Sequence, residues 1–248
     1  QVDRKDFRVH FSALNVTAPL HTVSELQDRM QLKPLRVFAA CSGGSFAYSA
    51  IINMGFPVSQ WTAVENNEVC RAVAASIVPT EVLHHVPPHD ITQLRDHPVR
   101  RESFDLYIDT CPCQPWSRLR SDPGGFRDKR SDPLTASIAL YHDLRKVNPA
   151  LKLIAENVQP HFKLQSDAHK MKEMWGVGYK LVNARDWGSP SSRPRHIFTN
   201  IVDISLIPLS SPAPYSWVLG AGYHISTPWF PCVVAAVNTR NPPVKVHD

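Results

Sequence analysis

A chain of 248 residues, 43% hydrophobic and 20% charged, can bury one sizeable core and has the composition of an ordinary globular protein. A net charge of +5 suits a polyanionic partner, since Lys and Arg gain affinity by releasing counterions from phosphates, and no run approaches the ~20 apolar residues of a membrane span. The five cysteines are odd in number and lack the paired spacing of a zinc site or a secreted disulfide framework, so no metal and an intracellular, reducing compartment are expected, the nucleus if the source is eukaryotic.

The opening residues QVDRKDFRVH carry no signal-peptide pattern, and a chain that starts at Gln1 reads as an excised piece of a longer one. TVSELQDRMQ (22–31) predicts a short helix opened by a Thr22/Glu25 capping box and broken at Lys33-Pro34. LRVFAA (35–40) is a compact apolar strand ending in CSGGS, and FAYSAIINMGF after it reads as a helix stopped near Gly55. WTAVE (61–65) is the next strand, EVCRAVAASIV (68–78) the next helix, and a third apolar stretch leads into the loop PPHDITQL (87–94). FDLYIDT (104–110) is a buried strand ending at CPCQPWS. Residues 133–146 form a helix with Leu134, Ile138 and Tyr141 on one face, stopped by Asn148-Pro149, and LKLIAE (151–156) is a further strand. GYKLVNAR (178–185) and RHIFTNI (195–201) pair as a terminal antiparallel hairpin. The β-α-β-α alternation implies an α/β fold, a doubly wound, mostly parallel Rossmann-like sheet with right-handed crossovers. Beyond about 206 prolines punctuate the chain and periodicity fades.

In such a sheet ligands collect beyond the carboxyl ends of the strands. Four loops there hold unusual residues. The turn Cys41-Ser42-Gly43-Gly44 lets a ligand approach the backbone, although alone it fits a plain tight connection equally well. Glu65, followed by Asn66, stands where ribose hydroxyls are commonly bound, and Asp90 and Ile91 follow the third strand, where an adenine amino group can be received. Taken singly, each carboxylate is more often a solvated loop residue. Pro112-Cys113-Gln114 follows a buried strand directly. A buried cysteine is usually inert packing, but Glu156 and Arg195, at neighbouring strand ends, would make Cys113 reactive.

In order and spacing these residues resemble the cytosine-C5 DNA methyltransferase family over roughly residues 35–201. The family's cofactor turn looks like FAACSGG, with Phe38, Ala40, Cys41, Ser42, Gly43 and Gly44. Its ribose-binding acid looks like Glu65 beside Asn66, and its adenine loop like HDITQL with Asp90 and Ile91. PCQ at 112–114, ENV at 156–158 and the pair Arg193 and Arg195 stand for its nucleophile, glutamate and arginine motifs. Two departures are visible: Ala40 replaces a usual glycine, and Ser191 stands where glutamine is common.

The resemblance implies methyl transfer from S-adenosylmethionine to C5 of cytosine in DNA, with S-adenosylhomocysteine as product. Catalytic roles would fall to Cys113, Glu156, Arg195 and Arg193. Cofactor contacts would come from the turn, Glu65, Asn66, Asp90, Ile91 and Pro112. Cys113 would add to C6 as thiolate, favoured by Arg195, of a cytosine flipped from the duplex. SRLRSDPGGFRDKR (117–130) resembles the family's mobile loop with a Gly124-Gly125 hinge; Gln114, Ser117, Arg118, Arg120, Arg127, Lys129 and Arg130 would contact nucleic acid. The expected division is an N-terminal extension (1–33), a catalytic domain (34–205) and a Pro-rich tail (206–248) that begins a reduced recognition region. VNTRNPP (237–243) resembles the start of that region, and a partner chain or further C-terminal sequence would complete the site. Two other readings compete: a tRNA cytosine methyltransferase, favoured by CQPWSRL, and a silent module that binds nucleic acid without turnover.

Overall fold

A computed structural model describes residues 33–119, 121–186, 191–201 and 230–231. The helix expected at 22–31, Arg120, and all of the 206–248 tail except residues 230 and 231 lie outside the described residues.

The chain runs β1 (Leu35–Ala40), α1 (Phe46–Asn53), β2 (Val58–Val64), α2 (Glu68–Ile77), β3 (Leu83–His85) and β4 (Leu106–Asp109). It continues through α3 (Asp132–Val147), β5 (Lys152–Val158), α4 (Gln165–Trp175), β6 (Gly178–Asn183), β7 (Ser191–Ser192), β8 (Pro194–Thr199) and β9 (Phe230–Pro231). Seven strands form one sheet in the order β3-β2-β1-β4-β5-β8-β6. The pairings among β1 to β5 are parallel, and β8 runs antiparallel to both of its neighbours. The expected hairpin is thus real as a pairing. Its later strand, however, is inserted between β5 and β6, so β6 rather than β8 forms the edge.

Side-chain alternation in β1 explains why helices cover both faces. Val37 and Ala39 point into one core with Trp61, Ala63, Tyr48 and Ile51. Phe38 and Ala40 point into the other with Tyr107, Leu134, Ile138, Tyr141, Met171 and Trp175. Four-residue β4 is buried along its whole length, as a central parallel strand must be.

Each helix end has a local cause. Asn67 caps α2, its Oδ1 accepting the Cys70 N–H at 3.2 Å. Pro133 opens α3, and Asn148 closes it and donates from Nδ2 to the Phe104 carbonyl at 2.7 Å. Between β5 and β6, where no element was expected, lies α4. Its sequence QSDAHKMKEMW is mostly polar, and Ala168, Met171 and Trp175 supply its only fully buried stripe. Tertiary packing therefore accounts for this helix, at roughly 1.5–3 kcal/mol for each large side chain buried. Gly176, with φ of 66°, ends it, its N–H reaching the Lys172 and Glu173 carbonyls.

Candidate active site

The strand order turns around between β1 and β4, and a cleft opens above the carboxyl ends of the central strands. Cys41, Val64, Glu65, Asn66, His89, Asp90, Ile91, Thr110, Pro112 and Pro133 line it. Of the expected cofactor residues, Cys41, Glu65, Asn66, Asp90, Ile91 and Pro112 are on its wall. Phe38 and Ala40 are not: both are core residues, and the Phe38 ring stacks on Tyr107 with centroids 5.2 Å apart. Ser42, Gly43 and Gly44 form the turn beside the cleft without lining it. Val64, His89, Thr110 and Pro133 were not anticipated. His89 and Thr110 directly adjoin Asp90 and Cys111, so adjacency to the strand ends was the signal available.

Glu65 has a structural task. Its Oε2 accepts the Gly43 N–H and its Oε1 the Asn67 N–H, both at 2.8 Å, which ties the glycine turn to the start of α2. Asp90 spends Oδ1 on the N–H and hydroxyl of Thr92 and reaches Gln93 with Oδ2 only at 3.5 Å. Ser42 Oγ is buried and has no partner among the described residues.

Next to the loop that carries Cys113 a buried chain of hydrogen bonds fixes the end of β4. Tyr107 OH pairs with Ser137 Oγ at 2.8 Å, and Ser137 Oγ donates to Asp109 Oδ1 at 2.5 Å. The Cys111 N–H points to Asp109 Oδ2 at 3.4 Å. Burial pushes the Asp109 carboxyl up to about 6, although hydrogen bonds from Cys111 and Ser137 favour its charged form.

Cys113 follows on the loop after β4, half-buried. Glu156 lies in β5 and Arg195 in β8, on adjacent antiparallel strands whose register pairs Glu156 with Ile197 and Val158 with Arg195. Arg195 Nε stands 2.5 Å from Glu156 Oε1, but its N–H is not aimed along a hydrogen bond, so the contact is Coulombic. Arg195 also donates from Nη1 to its neighbour Pro194 O at 2.8 Å. The Cys113 thiol is held above its ordinary value first by burial and then by the Glu156 carboxylate, with Arg195 and Arg193 pulling the other way. The expectation that Arg195 favours a thiolate has the right sign and the smaller weight: the resting group is the thiol.

The loop after Cys113 is docked where a hinge was expected. Gly125 is buried, with φ of 54°, and its N–H bonds to the Pro115 carbonyl. A Cβ there would stand 2.3 Å from Asp167 Oδ2, the atom that accepts the Trp116 indole N–H at 2.8 Å. Phe126 packs edge-on against Trp116, and Lys170 Nζ sits 4.2 Å above the Phe126 ring. Gln114, Arg118, Arg127 and Lys129 are exposed, and Ser117 is half-buried. Arg118 reaches Gln159 Oε1 at 3.2 Å, and Arg130 closes a two-point contact on Asp128. Arg193 is exposed, its N–H bonded to Asn183 Oδ1. Among the described residues no group of three or more His, Cys, Asp or Glu is placed to hold a metal, and no helix is long and apolar enough to cross a membrane.

This strand order, with a cleft at its turning point, defines a Rossmann-like α/β domain of the class I methyltransferase type. Residues 37–206, well over half of the chain, match the model of the C-5 cytosine-specific DNA methylases, and the chain belongs to that family. The fold is shared with Entamoeba histolytica methyltransferase EhMeth, at 16% identity and a TM-score of 0.53 over 73% of this chain and 57% of that one. Other similar solved structures are a DNA modification methyltransferase encoded within an E. coli prophage (20% identity, TM-score 0.49, 72% of this chain and 52% of that one) and the S. pombe Dnmt2 methyltransferase (18%, 0.42, 67% and 49%). The chain spans about half the length of these structures. No curated protein matches it significantly.

Proposed function

We propose that this protein transfers a methyl group from S-adenosylmethionine to C5 of cytosine in DNA, with Cys113 as the attacking nucleophile. The observation that carries the reading is the convergence of Cys113, Glu156 and Arg195, drawn from three elements, so that both charged groups act on the thiol.

The cleft suits an adenosine-type ligand. Val64, Ile91 and Pro112 give it apolar walls, the Asp90 and Glu65 carboxylates offer acceptors, and the unpartnered Ser42 Oγ lies in the adjoining turn. When bound, S-adenosylmethionine supplies an electrophilic methyl group.

Cytosine C5 is a poor nucleophile, and adding the Cys113 sulfur to C6 pushes electron density onto it. Cys113 starts as a thiol, so a proton must leave as the bond forms. Glu156 is the carboxylate that acts on that thiol, and by taking the proton and passing it towards N3 it stabilises the charge growing on the ring. Arg195 orients Glu156 and offers its remaining donors to O2 of the base. After methylation, loss of the C5 proton expels Cys113.

The target atoms are inaccessible within a duplex, so the base must be flipped out. The exposed cations Arg118, Arg127 and Lys129 on the docked loop suit the phosphates around it. In this reading residues 34–205 form the catalytic domain and 206–248 belong to a recognition region.

The test is transfer of a tritiated methyl group to duplex DNA and, in parallel, to tRNA. Incorporation into DNA that vanishes with Cys113→Ala is expected. Equal incorporation by wild type and variant overturns the mechanism, and a preference for tRNA overturns the substrate.

A further inference from the structure

Two cysteines that the proposed reaction does not use face each other at the root of the cleft. Cys41 is the first residue after β1 and Cys111 the second after β4. Although 70 positions apart, their sulfurs stand 3.0 Å from one another. These neighbouring strand ends are already joined, the Thr110 N–H bonding to Ala40 O at 3.2 Å and the Thr110 hydroxyl to Cys41 O at 2.8 Å. A disulfide needs its sulfurs about 2.05 Å apart, so closure asks for a movement of about 1 Å. Cys41 holds a left-handed backbone, φ 50°, and lines the cleft, whereas Cys111 is buried.

We propose that Cys41 and Cys111 are a peroxide-oxidisable dithiol whose disulfide moves Cys41, part of the cleft wall, and so weakens ligand binding there. The sulfur of Cys41, the member of the pair that lines the cleft, attacks one oxygen of a hydroperoxide. The O–O bond breaks, the sulfur is oxidised to a sulfenic acid, and water (or an alcohol, from an alkyl hydroperoxide) leaves. The Cys111 sulfur then attacks Cys41 Sγ: the S–S bond forms, the S–O bond breaks, and the departing oxygen carries off the Cys111 proton as water. Two thiols and one hydroperoxide thus give one disulfide, and a dithiol reductant reverses the step. The bond shifts Cys41 relative to Pro112, which share the lining of the cleft.

The dithiol stands on geometry alone, while the weakened ligand binding rests on the cofactor reading above. The full chain is treated with equimolar hydrogen peroxide, its remaining thiols are alkylated, and peptides are mapped by mass spectrometry. Wild type and Cys113→Ala should both yield a Cys41–Cys111 linked peptide, two hydrogens lighter than its parts and lost again with dithiothreitol. Cys111→Ser should yield none, with Cys41 recovered at a higher oxidation state instead. Recovery of Cys41 and Cys111 as alkylated thiols, or a link from either one to Cys113, overturns the dithiol. Calorimetry with S-adenosylhomocysteine then compares the reduced and oxidised chains: tighter binding by the reduced form is expected. Equal binding by both overturns the effect on the cleft, and no binding by the reduced form overturns the cofactor reading, while the linked peptide still judges the dithiol.

Discussion

Replacing Asp109 with Asn should change how stability depends on pH. Asp109 is fully enclosed at the end of β4, and burial lifts its carboxyl from 3.8 to about 6. The folded chain therefore binds this proton more tightly than the unfolded one. The associated stability is fully present below pH 3.8 and is lost as pH rises through about 6. At roughly 1.4 kcal/mol per pH unit the whole effect is about 3 kcal/mol, of which about 2 kcal/mol falls between about pH 4.5 and about pH 7.5. Asparagine cannot ionise and keeps an acceptor for the Ser137 hydroxyl. Urea unfolding of both chains, followed by tryptophan fluorescence across this range, should show Asp109→Asn gaining on wild type by that amount from the acidic to the neutral end. Only the pH-dependent part is judged, so a constant offset from altered packing does not matter. A difference independent of pH, or one shrinking towards neutrality, would refute the assignment of a buried, charge-penalised carboxyl.

Gly125→Ala should release the loop after Cys113 without unfolding the chain. The left-handed backbone costs a side chain roughly 1–2 kcal/mol, and the new Cβ would meet the carboxylate oxygen that holds Trp116, so tryptic cleavage at Arg127 and Lys129 should accelerate while the urea midpoint moves little. Unchanged cleavage would mean that the loop is not held there. Glu156→Gln should lower the pH at which Cys113 becomes reactive, because the carboxylate that opposes its ionisation disappears while Arg195 and Arg193 remain. Peptide-resolved alkylation by iodoacetamide measures this, and an unchanged or raised midpoint would contradict the electrostatic account. The same balance predicts that wild-type Cys113 alkylates more slowly near neutrality than an exposed cysteine does.

How much of this was legible in the sequence depends on the range of the interaction. β1, β2, β4 and β5 could be placed because each holds a short apolar run bounded by turn residues, and α3 because Leu134, Ile138 and Tyr141 recur at helical spacing, whereas β3, Leu83–His85, has two histidines among its three residues and was expected only as an apolar stretch without bounds. α4 escaped notice: three buried side chains among eleven residues, most of them polar, make a stripe that only the cover of β6 and β8 renders apolar. Phe38 belonged to the expected cofactor motif, yet its alternation with Val37 and Ala39 sends its ring into the core, and the motif marks a place in the chain rather than a contact.

The sequence by itself determined the class of fold, the family, and which residues end up at the carboxyl ends of the strands, since these follow from local pattern and from motif order. Tertiary structure alone decided that β8 enters between β5 and β6, which sets Arg195 against Glu156 and makes the Cys113 thiol a contest between burial, one carboxylate and two guanidinium groups. It also brought Cys41 to Cys111. Strand order and burial are properties of contacts between segments distant along the chain, and no local pattern encodes a distance between two sulfurs 70 residues apart.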